Sequence, residues 1–425
     1  MPSAPKEVKP RLVAVVPDDF PGLTPKVEVK EGDAVTVGTP LLRDKNDESV
    51  KIVSPADGVV KAIVRGARRK IERVVVDVKG ATAAAAKVKA DAGDAAAIKE
   101  TLKVSGLWAM MRQRPFDIVP VDGAEPRDIF VTALDTAPLA VMPSIESLDS
   151  KALAKGVAVL ARLTSGKVYV SVPAASAVEI AGAEMVGVSG PHPAGNVGVQ
   201  IANIAPVNKG ETVWTLDIVT LERIGRLFGE GVLDMTATVA VTGSEIDKPF
   251  IARTAIGADL TSILGGHIKG DIAHERIIAG NVLTGVHTGE DGYLHYPYRQ
   301  VTVIPEGDNA DEFMGWASMA PGKMSVSRSF PGHFLRRLFK PDARLNGGRR
   351  AMIMSGVYDN VLPMDILPEY LFKAIIAGDI DRMEQLGIYE IAPEDVALCE
   401  YVDPSKLELQ KLVRDGLDNL RHELA

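Results

Sequence analysis

The residues with the widest chemical repertoire in this chain are one cysteine, Cys399, and seven histidines: His192, His267, His274, His287, His295, His333 and His422. The histidines include no H-E-x-x-H and no pair at i, i+4 on a helix, so a helix-borne zinc site is not expected. His192 stands between prolines in Gly190-Pro-His-Pro-Ala-Gly195, a rigid loop that either presents an imidazole to a ligand or only shapes a turn. One thiol excludes disulfides, tetracysteine zinc and four-cysteine iron–sulfur clusters, and points to a reducing compartment. A Ser-His-Asp triad has no G-x-S-x-G elbow to stand on. Phosphate-cradling loops are missing too: no G-x-G-x-x-G follows a strand, and Gly166-Lys167 and Gly322-Lys323 are followed by Val168 and Met324 rather than Ser or Thr. Asp44-Lys45 resembles the tip at which a lipoyl domain carries its arm, but the polar loop Asn46-Asp-Glu-Ser-Val50 is too long for a two-residue tip, which leaves Lys45 as either a misplaced arm or a solvated loop lysine.

The 425 residues suffice for roughly two to four domains with real cores. Hydrophobic residues make up 46% and charged residues 24%, which excludes a disordered or fibrous chain. With 48 basic and 56 acidic side chains the net charge is −8, a sign that disfavours attachment to phosphate backbones, so nucleic acid is not an expected partner. The first ten residues form no apolar signal segment, and no stretch of about 18 apolar residues occurs: the best, Ile129 to Met142, is broken by Thr132, Asp135, Thr136 and Pro138.

The elements that must position any site read as several successive types. Val27 to Val78 reads as short strands, with "VKEGDAVTVGTPLL" followed by "SPADGVVKAI", the order of a biotinyl/lipoyl barrel-sandwich hybrid in which Gly32 and Gly58 sit in turns needing positive φ. The alanine-rich stretch Gly80 to Gly93 has no large apolar side chain except Val88 and reads as a linker or peripheral helix. From Ala95 to about Val239, apolar runs at 129–134, 168–172 and 185–188 alternate with helical periodicity such as Ala152 to Leu163, which predicts a parallel α/β unit. Phe250 to Val303 returns to short strands in a small α+β pattern. The last part is helical, with Pro368 at a permitted first helical position and leucines at 407, 409, 412, 417 and 420.

Five stretches occur in an order that goes beyond fold analogy: "SGLWAMMRQRPF" (105–116), "FVTALDTAPLA" (130–140), "SGPHPAGNVGVQI" (189–201), "VWTLDIVTLERIGRLFGEG" (213–231) and "PGKMSVSRSFP" (321–331). With them the chain resembles the A-subunit family of the sodium-translocating NADH:quinone reductases, from about Leu12 to the C-terminus. The resemblance implies a multidomain α/β and α+β protein: a barrel-sandwich hybrid at 1–80, a Rossmann-like α/β domain at 95–248, a small β-grasp-like domain at 249–335, and a helical C-terminal domain at 336–425. That last domain would resemble a cluster-binding domain without its cluster. The implied function is that of a peripheral subunit on the cytoplasmic face of the bacterial inner membrane, in a complex that couples NADH oxidation and quinone reduction to Na+ export. It implies partners among the other subunits, especially integral membrane subunits, and quinone as substrate. NADH, flavins and the iron–sulfur centre would belong to those partners and no cofactor to this chain, whose isolated form would be inactive. The alternative is a non-catalytic biotinyl/lipoyl-like carrier or assembly module, and a further one is a cluster-free homologue in a sibling electron-transport complex, which the missing cysteines disfavour.

The residues agree with the absence of cofactors. Leu134-Asp-Thr-Ala-Pro-Leu-Ala140 has no glycine where flavin-binding relatives carry a Gly-rich loop, and Asp403 stands where the last cysteine of a C-x-x-x-C-P tail would be. A quinone needs an apolar slot and donors aimed at its carbonyl oxygens. Two segments offer that mixture: Pro17-Asp-Asp-Phe-Pro-Gly-Leu23, and Trp108-Ala-Met-Met-Arg-Gln-Arg-Pro-Phe116. The expected quinone-proximal residues are therefore Asp19, Phe20, Arg112, Arg114 and Phe116; in the competing reading Trp108 and Phe116 anchor a core and the arginines meet a neighbouring subunit. Two basic clusters, Arg65 to Lys70 and Arg336 to Arg350, would face anionic lipid, an acidic subunit or solvent.

Overall fold

The computed structural model describes residues 4–80, 84–141, 145–289, 291–308 and 340–424. The "PGKMSVSRSFP" motif and Arg336 and Arg337 of the second basic cluster lie outside the described residues.

The valine-rich strands Leu12–Val15, Ile71–Val78, Gly58–Arg65 and Ala34–Val35 form an antiparallel sheet in that order, facing a second sheet of Pro25–Val27, Pro40–Asp44 and Lys51–Val53. Val13, Leu41, Leu42, Val74 and Val76 are fully buried between them. Gly32 takes a positive φ, as its turn requires, but Gly58 does not: it opens a strand, and a Cβ there would meet the Asp77 carbonyl at 2.2 Å. Close approach of backbones, rather than turn geometry, demands that glycine. In the loop after Pro40–Asp44, Lys45 is exposed, while Asp47 is held by Lys103 of the helix Ala95–Ser105, whose Nζ donates to Asp47 Oδ2 at 2.7 Å and Asp122 Oδ1 at 2.9 Å. The hairpin tip is thus docked on the next part of the chain.

The alanine-rich stretch corrects the expectation of a linker or helix. Ala85–Lys87 is a strand paired antiparallel with Val232–Asp234, and Ala84 is buried beneath it. Backbone pairing stabilises this strand without needing large side chains, which is why composition concealed it.

Four parallel strands, Val213–Asp217, Ile129–Thr132, Val168–Pro173 and Glu184–Val188, lie side by side in that order, with Arg112–Arg114 antiparallel on the outer edge of Val213–Asp217. The helices Ser150–Leu160 and Ile218–Glu230 are capped by the carboxylates of Asp149 and Asp217. The chain leaves Ile129–Thr132 towards one side, and returns with Val213–Asp217 on the other. The crevice at the carboxyl ends of these two strands is where open α/β sheets bind ligands.

A six-stranded sheet follows, ordered Lys6–Glu7, Phe250–Ala255, Thr236–Thr242, Gln300–Pro305, Glu275–Ala279 and Val286–Thr288. Thr236–Thr242 and Phe250–Ala255 pair directly on either side of residue 248. The C-terminal part holds the helices Pro368–Ala377, Ile380–Gln385, Ala397–Val402 and Leu409–Leu424 around Tyr358, Phe372, Val413 and Leu417. Cys399 is fully buried there, and burial pushes its thiol up to about 12. Asp403 accepts hydrogen bonds from Tyr358 Oη (2.9 Å), Ser405 N (3.0 Å) and Leu407 N (2.7 Å), tying together the turn before the last helix. Among the described residues no helix is long and apolar enough to cross a membrane, and no group of three His, Cys, Asp or Glu side chains is placed to hold a metal ion.

Candidate functional site

A cleft of about 360 Å³ opens at the switch point, floored by Thr132, Leu216 and Asp217 at the ends of the two central strands. That volume falls within the range of small-molecule sites. Other stretches of the chain wall it: Asp19 from the barrel, Arg112 and Arg114 from the edge strand, Tyr296 and Tyr298 from the approach to Gln300–Pro305, and Glu394 from the C-terminal turn Pro393–Val396.

Asp19 ends the short turn Pro17–Asp19. Its Oδ1 shares a hydrogen bond with His295 Nδ1 at 2.7 Å, and its Oδ2 accepts the Tyr296 N–H at 2.9 Å. Burial raises the Asp19 carboxyl above its ordinary value, against the opposing pull of His295, the Tyr296 N–H and Arg112. Phe20 stacks on the Tyr296 ring, centroids 5.6 Å apart, and supports the cleft wall from behind. Tyr296 Oη donates to the Met110 carbonyl at 2.7 Å, and burial pushes this phenol up to about 12.

Residues 112 and 114 alternate with Gln113, so both arginines project on one face of the edge strand. Arg112 donates from Nη2 to the Asp19 carbonyl at 2.7 Å, and from Nη1 to the Ala109 and Met111 carbonyls at 3.0 Å each. Its guanidinium carbon lies 5.8 Å from the Tyr296 ring centroid. Three of its five N–H groups are thereby used, and among the described residues it pairs with no carboxylate. Two donors remain for a ligand.

Arg114 is different. It is 2% exposed and donates from Nη1 to Asp395 Oδ2 at 2.9 Å and from Nη2 to Glu394 Oε1 at 2.8 Å. These partners hold its guanidinium, so it positions Glu394 on the cleft wall. Phe116 turns to the C-terminal part, its ring edge-on to Tyr389 at 6.4 Å, while Arg414 donates to its carbonyl at 2.6 Å. Trp108 is 1% exposed, edge-on to Trp214 with its Nε1 donating to the Pro120 carbonyl at 2.8 Å, which makes it a core anchor.

Glu394 sits in a crowded recess yet keeps 43% of its side chain open to the cleft. Desolvation, with Asp395 and Asp117 adding to it, pushes its carboxyl up to about 7 against the pull of Arg114 and Arg112. Folding raises this pKa, so the stability that the protonated group holds near pH 4.5 is lost as the pH rises to about 7. The variant Glu394→Gln fixes the neutral form. Its stability should gain on the parent's across that window in urea titrations; a parallel pH dependence would refute the assignment.

Asp395 approaches the N-terminus of the helix Val197–Ile204 so closely that a Cβ on Gly198 would lie 2.2 Å from its Oδ2. The cap residue Asn196 contributes no side-chain bond to that helix and instead donates to the Glu394 carbonyl at 3.1 Å. The helix therefore receives its anion from the C-terminal part of the same chain. His192 lies apart from the cleft lining, its Nδ1 3.2 Å from Thr136 Oγ1, and burial lowers its pKa.

Sequence reading located Asp19, Arg112 and Arg114 in the lining. It missed Tyr296, Tyr298 and Glu394 in that lining, and His295 bonded to Asp19, whose only local signals are a His-Tyr-Pro-Tyr run and an acidic helix start.

Three family models match the chain: the NqrA N-terminal barrel-sandwich hybrid domain at residues 2–79, the NqrA second alpha/beta domain at 93–233, and the NQRA C-terminal domain at 238–289. The chain is similar to the A-subunit of the Na+-translocating NADH-quinone reductase of Neisseria meningitidis serogroup C, 39% identical with 97% of this chain and 94% of that protein covered. The proteins of the same name from Pasteurella multocida and Yersinia pseudotuberculosis are 37% and 39% identical, with the same shares covered.

Proposed function

Because the chain belongs to the A-subunit family of the Na+-translocating NADH-quinone reductases, we propose that it forms the quinone-facing peripheral subunit of that complex, on the cytoplasmic face of the membrane. The complex is an oxidoreductase with other subunits as partners, and the isolated subunit is not the catalytic one. In our reading this chain carries no redox cofactor, integral membrane subunits are among its partners, and NADH, flavins and the iron–sulfur centre belong to them. The observation that carries the quinone reading is Arg112: a cation without a carboxylate partner among the described residues, with two donors left, beside an aromatic wall in a cleft of fitting size.

The five sequence-derived residues then take separate roles. Arg112 donates to a carbonyl oxygen of the ring, and Asp19 and Arg114 fix the polar walls. Phe20 backs Tyr296, and Phe116 joins the edge strand to the C-terminal part. A flavin-free reading is supported by the helix N-termini of the α/β part, where Asp149, Asp217 and Asp395 supply the negative charge that a phosphate would bring. We also read the parts of the chain as a barrel-sandwich hybrid at 1–80, a Rossmann-like part at 95–248, a β-grasp-like part at 249–335, and a helical part from 336 that keeps the shape of a cluster-binding domain, with Asp403 bonding its turn.

The test is a photoreactive quinone added to the assembled complex. Adducts are expected on the peptides holding residues 108–117 or 294–299, and Arg112→Ala should raise the quinone KM about tenfold, the value of one charge-assisted hydrogen bond. Labelling elsewhere with an unchanged KM would overturn the reading.

A further inference from the structure

Turning a quinone into a quinol takes two electrons and two protons, and the two oxygens that receive the protons stand on opposite sides of the ring. Resting on the quinone reading above, we propose that the cleft supplies both protons, one from Asp19 paired with His295 and one from Glu394.

The edge strand sets the geometry. Arg112 and Arg114 lie two residues apart on one face, a rise of about 7 Å, and each holds one of the two acidic elements: Arg112 bonds the Asp19 main chain and Arg114 bonds the Glu394 carboxylate. Asp19 and Glu394 both line the same cleft of about 360 Å³, with the free donors of Arg112 on the strand that holds them. Each acid lines the cleft among charged neighbours. Asp19 is 10% exposed and faces His295, Arg112 and the Tyr296 N–H, with Asp18 next to it in the chain. Glu394, part exposed, faces Arg114, Asp395, Asp117 and Arg112; desolvation in its crowded recess, with Asp395 and Asp117, raises its carboxyl, and burial raises that of Asp19. His295 is 15% exposed and uses Nδ1 for Asp19, which leaves Nε2 as the end that takes up a proton from outside.

The balance closes within the family's activity. Two electrons from NADH reach the ring through the redox groups of the complex. As negative charge builds on each carbonyl oxygen, a carboxyl O–H bond breaks and an O–H bond to that oxygen forms. The quinol leaves, and the two carboxylates recover protons from water, Asp19 through His295 and Glu394 through the cleft mouth.

The experiment uses the assembled complex with Asp19→Asn, Glu394→Gln and the double variant, measuring quinol formation from pH 5.5 to 9 with photoreactive quinone labelling alongside. Each single variant should lose about 10- to 100-fold in kcat, the lower part of the range for a positioned general acid. Quinone KM should stay within about twofold, and NADH oxidation by ferricyanide, which needs no proton donor, should be unchanged. The fall in activity as pH rises through neutrality should disappear in Glu394→Gln. Labelled cleft peptides with unchanged kcat in both variants would overturn the proton assignment alone. Absence of cleft labelling in the parent would overturn the quinone reading. Should Asp19→Asn fail to assemble, His295→Gln interrupts the same path and must give the same loss of kcat.

Discussion

Replacing Arg114 by methionine is expected to destabilise the folded chain by about 3–5 kcal/mol, the cost of removing one partner from a buried ion pair. Its guanidinium is 2% exposed, and the Asp395 side chain it meets is fully buried, so the substitution leaves a desolvated carboxylate with no opposite charge against it. Solvent cannot compensate, because Asp395 is packed against Gly198 and its Oδ2 is already committed to the Ala392 N–H at 2.9 Å. The contact joins residues 281 positions apart, so its loss should loosen the C-terminal part from the α/β part before the rest unfolds. Urea titration read by tryptophan fluorescence, with limited proteolysis between residues 340 and 400, measures both effects. Adding Asp395→Ala should recover part of the loss, since the orphaned charge then disappears. A loss below about 1 kcal/mol, the range of solvated pairs, would mean that water reaches the pair.

Trp108→Ala should cost a similar amount, about 3–5 kcal/mol, for a different reason. The indole is 1% exposed, its ring meets Trp214 edge-on with centroids 5.1 Å apart, and it covers the base of the sheet from which the arginine-bearing strand extends. Truncation creates a cavity and strands the Pro120 carbonyl that accepted the indole N–H. Trp108→Phe should lose less, because the ring volume largely survives. The measurement is thermal unfolding of the isolated chain, combined with quinone KM in the assembled complex. A stability loss with KM unchanged fits a core anchor, whereas an altered KM with undiminished stability would place the indole against the ligand.

The contrast between Trp108 and Arg112 shows what sequence could and could not reveal. Both stand in one run that combines aromatic, sulfur and cationic side chains, and composition alone assigns either to a core or to a ligand. Burial separates them: Trp108 is enclosed, and Arg112 reaches the cleft. Apolar runs such as 168–172 and the proline-opened helix at 368 were legible because their signals are local. The site was half legible. Asp19 and the arginines sit in segments of unusual composition, but Glu394-Asp395 after Pro393 looks like any acidic helix start, and nothing nearby announces an arginine 280 positions away. The strand Ala85–Lys87 was hidden because its stabilising bonds are made by backbone. Cys399 was legible as the one thiol of the chain, whereas the three hydrogen bonds to Asp403 emerge only from the fold.

The walls of the cleft come from the barrel, the edge strand, the tyrosine-bearing segment and the C-terminal turn, so its shape exists only while those parts keep their mutual orientation. A ligand that requires this shape is linked to it by mass action. At a hundred times its dissociation constant it adds about 2.7 kcal/mol to the assembled arrangement. The reciprocal statement is equally binding: whatever clamps the C-terminal turn against the α/β part tightens the ligand by the same factor. Occupancy of the cleft and the seating of the helical C-terminal part are therefore two readings of one free energy, and a neighbour that grips the helical end can set the affinity of a site it does not touch.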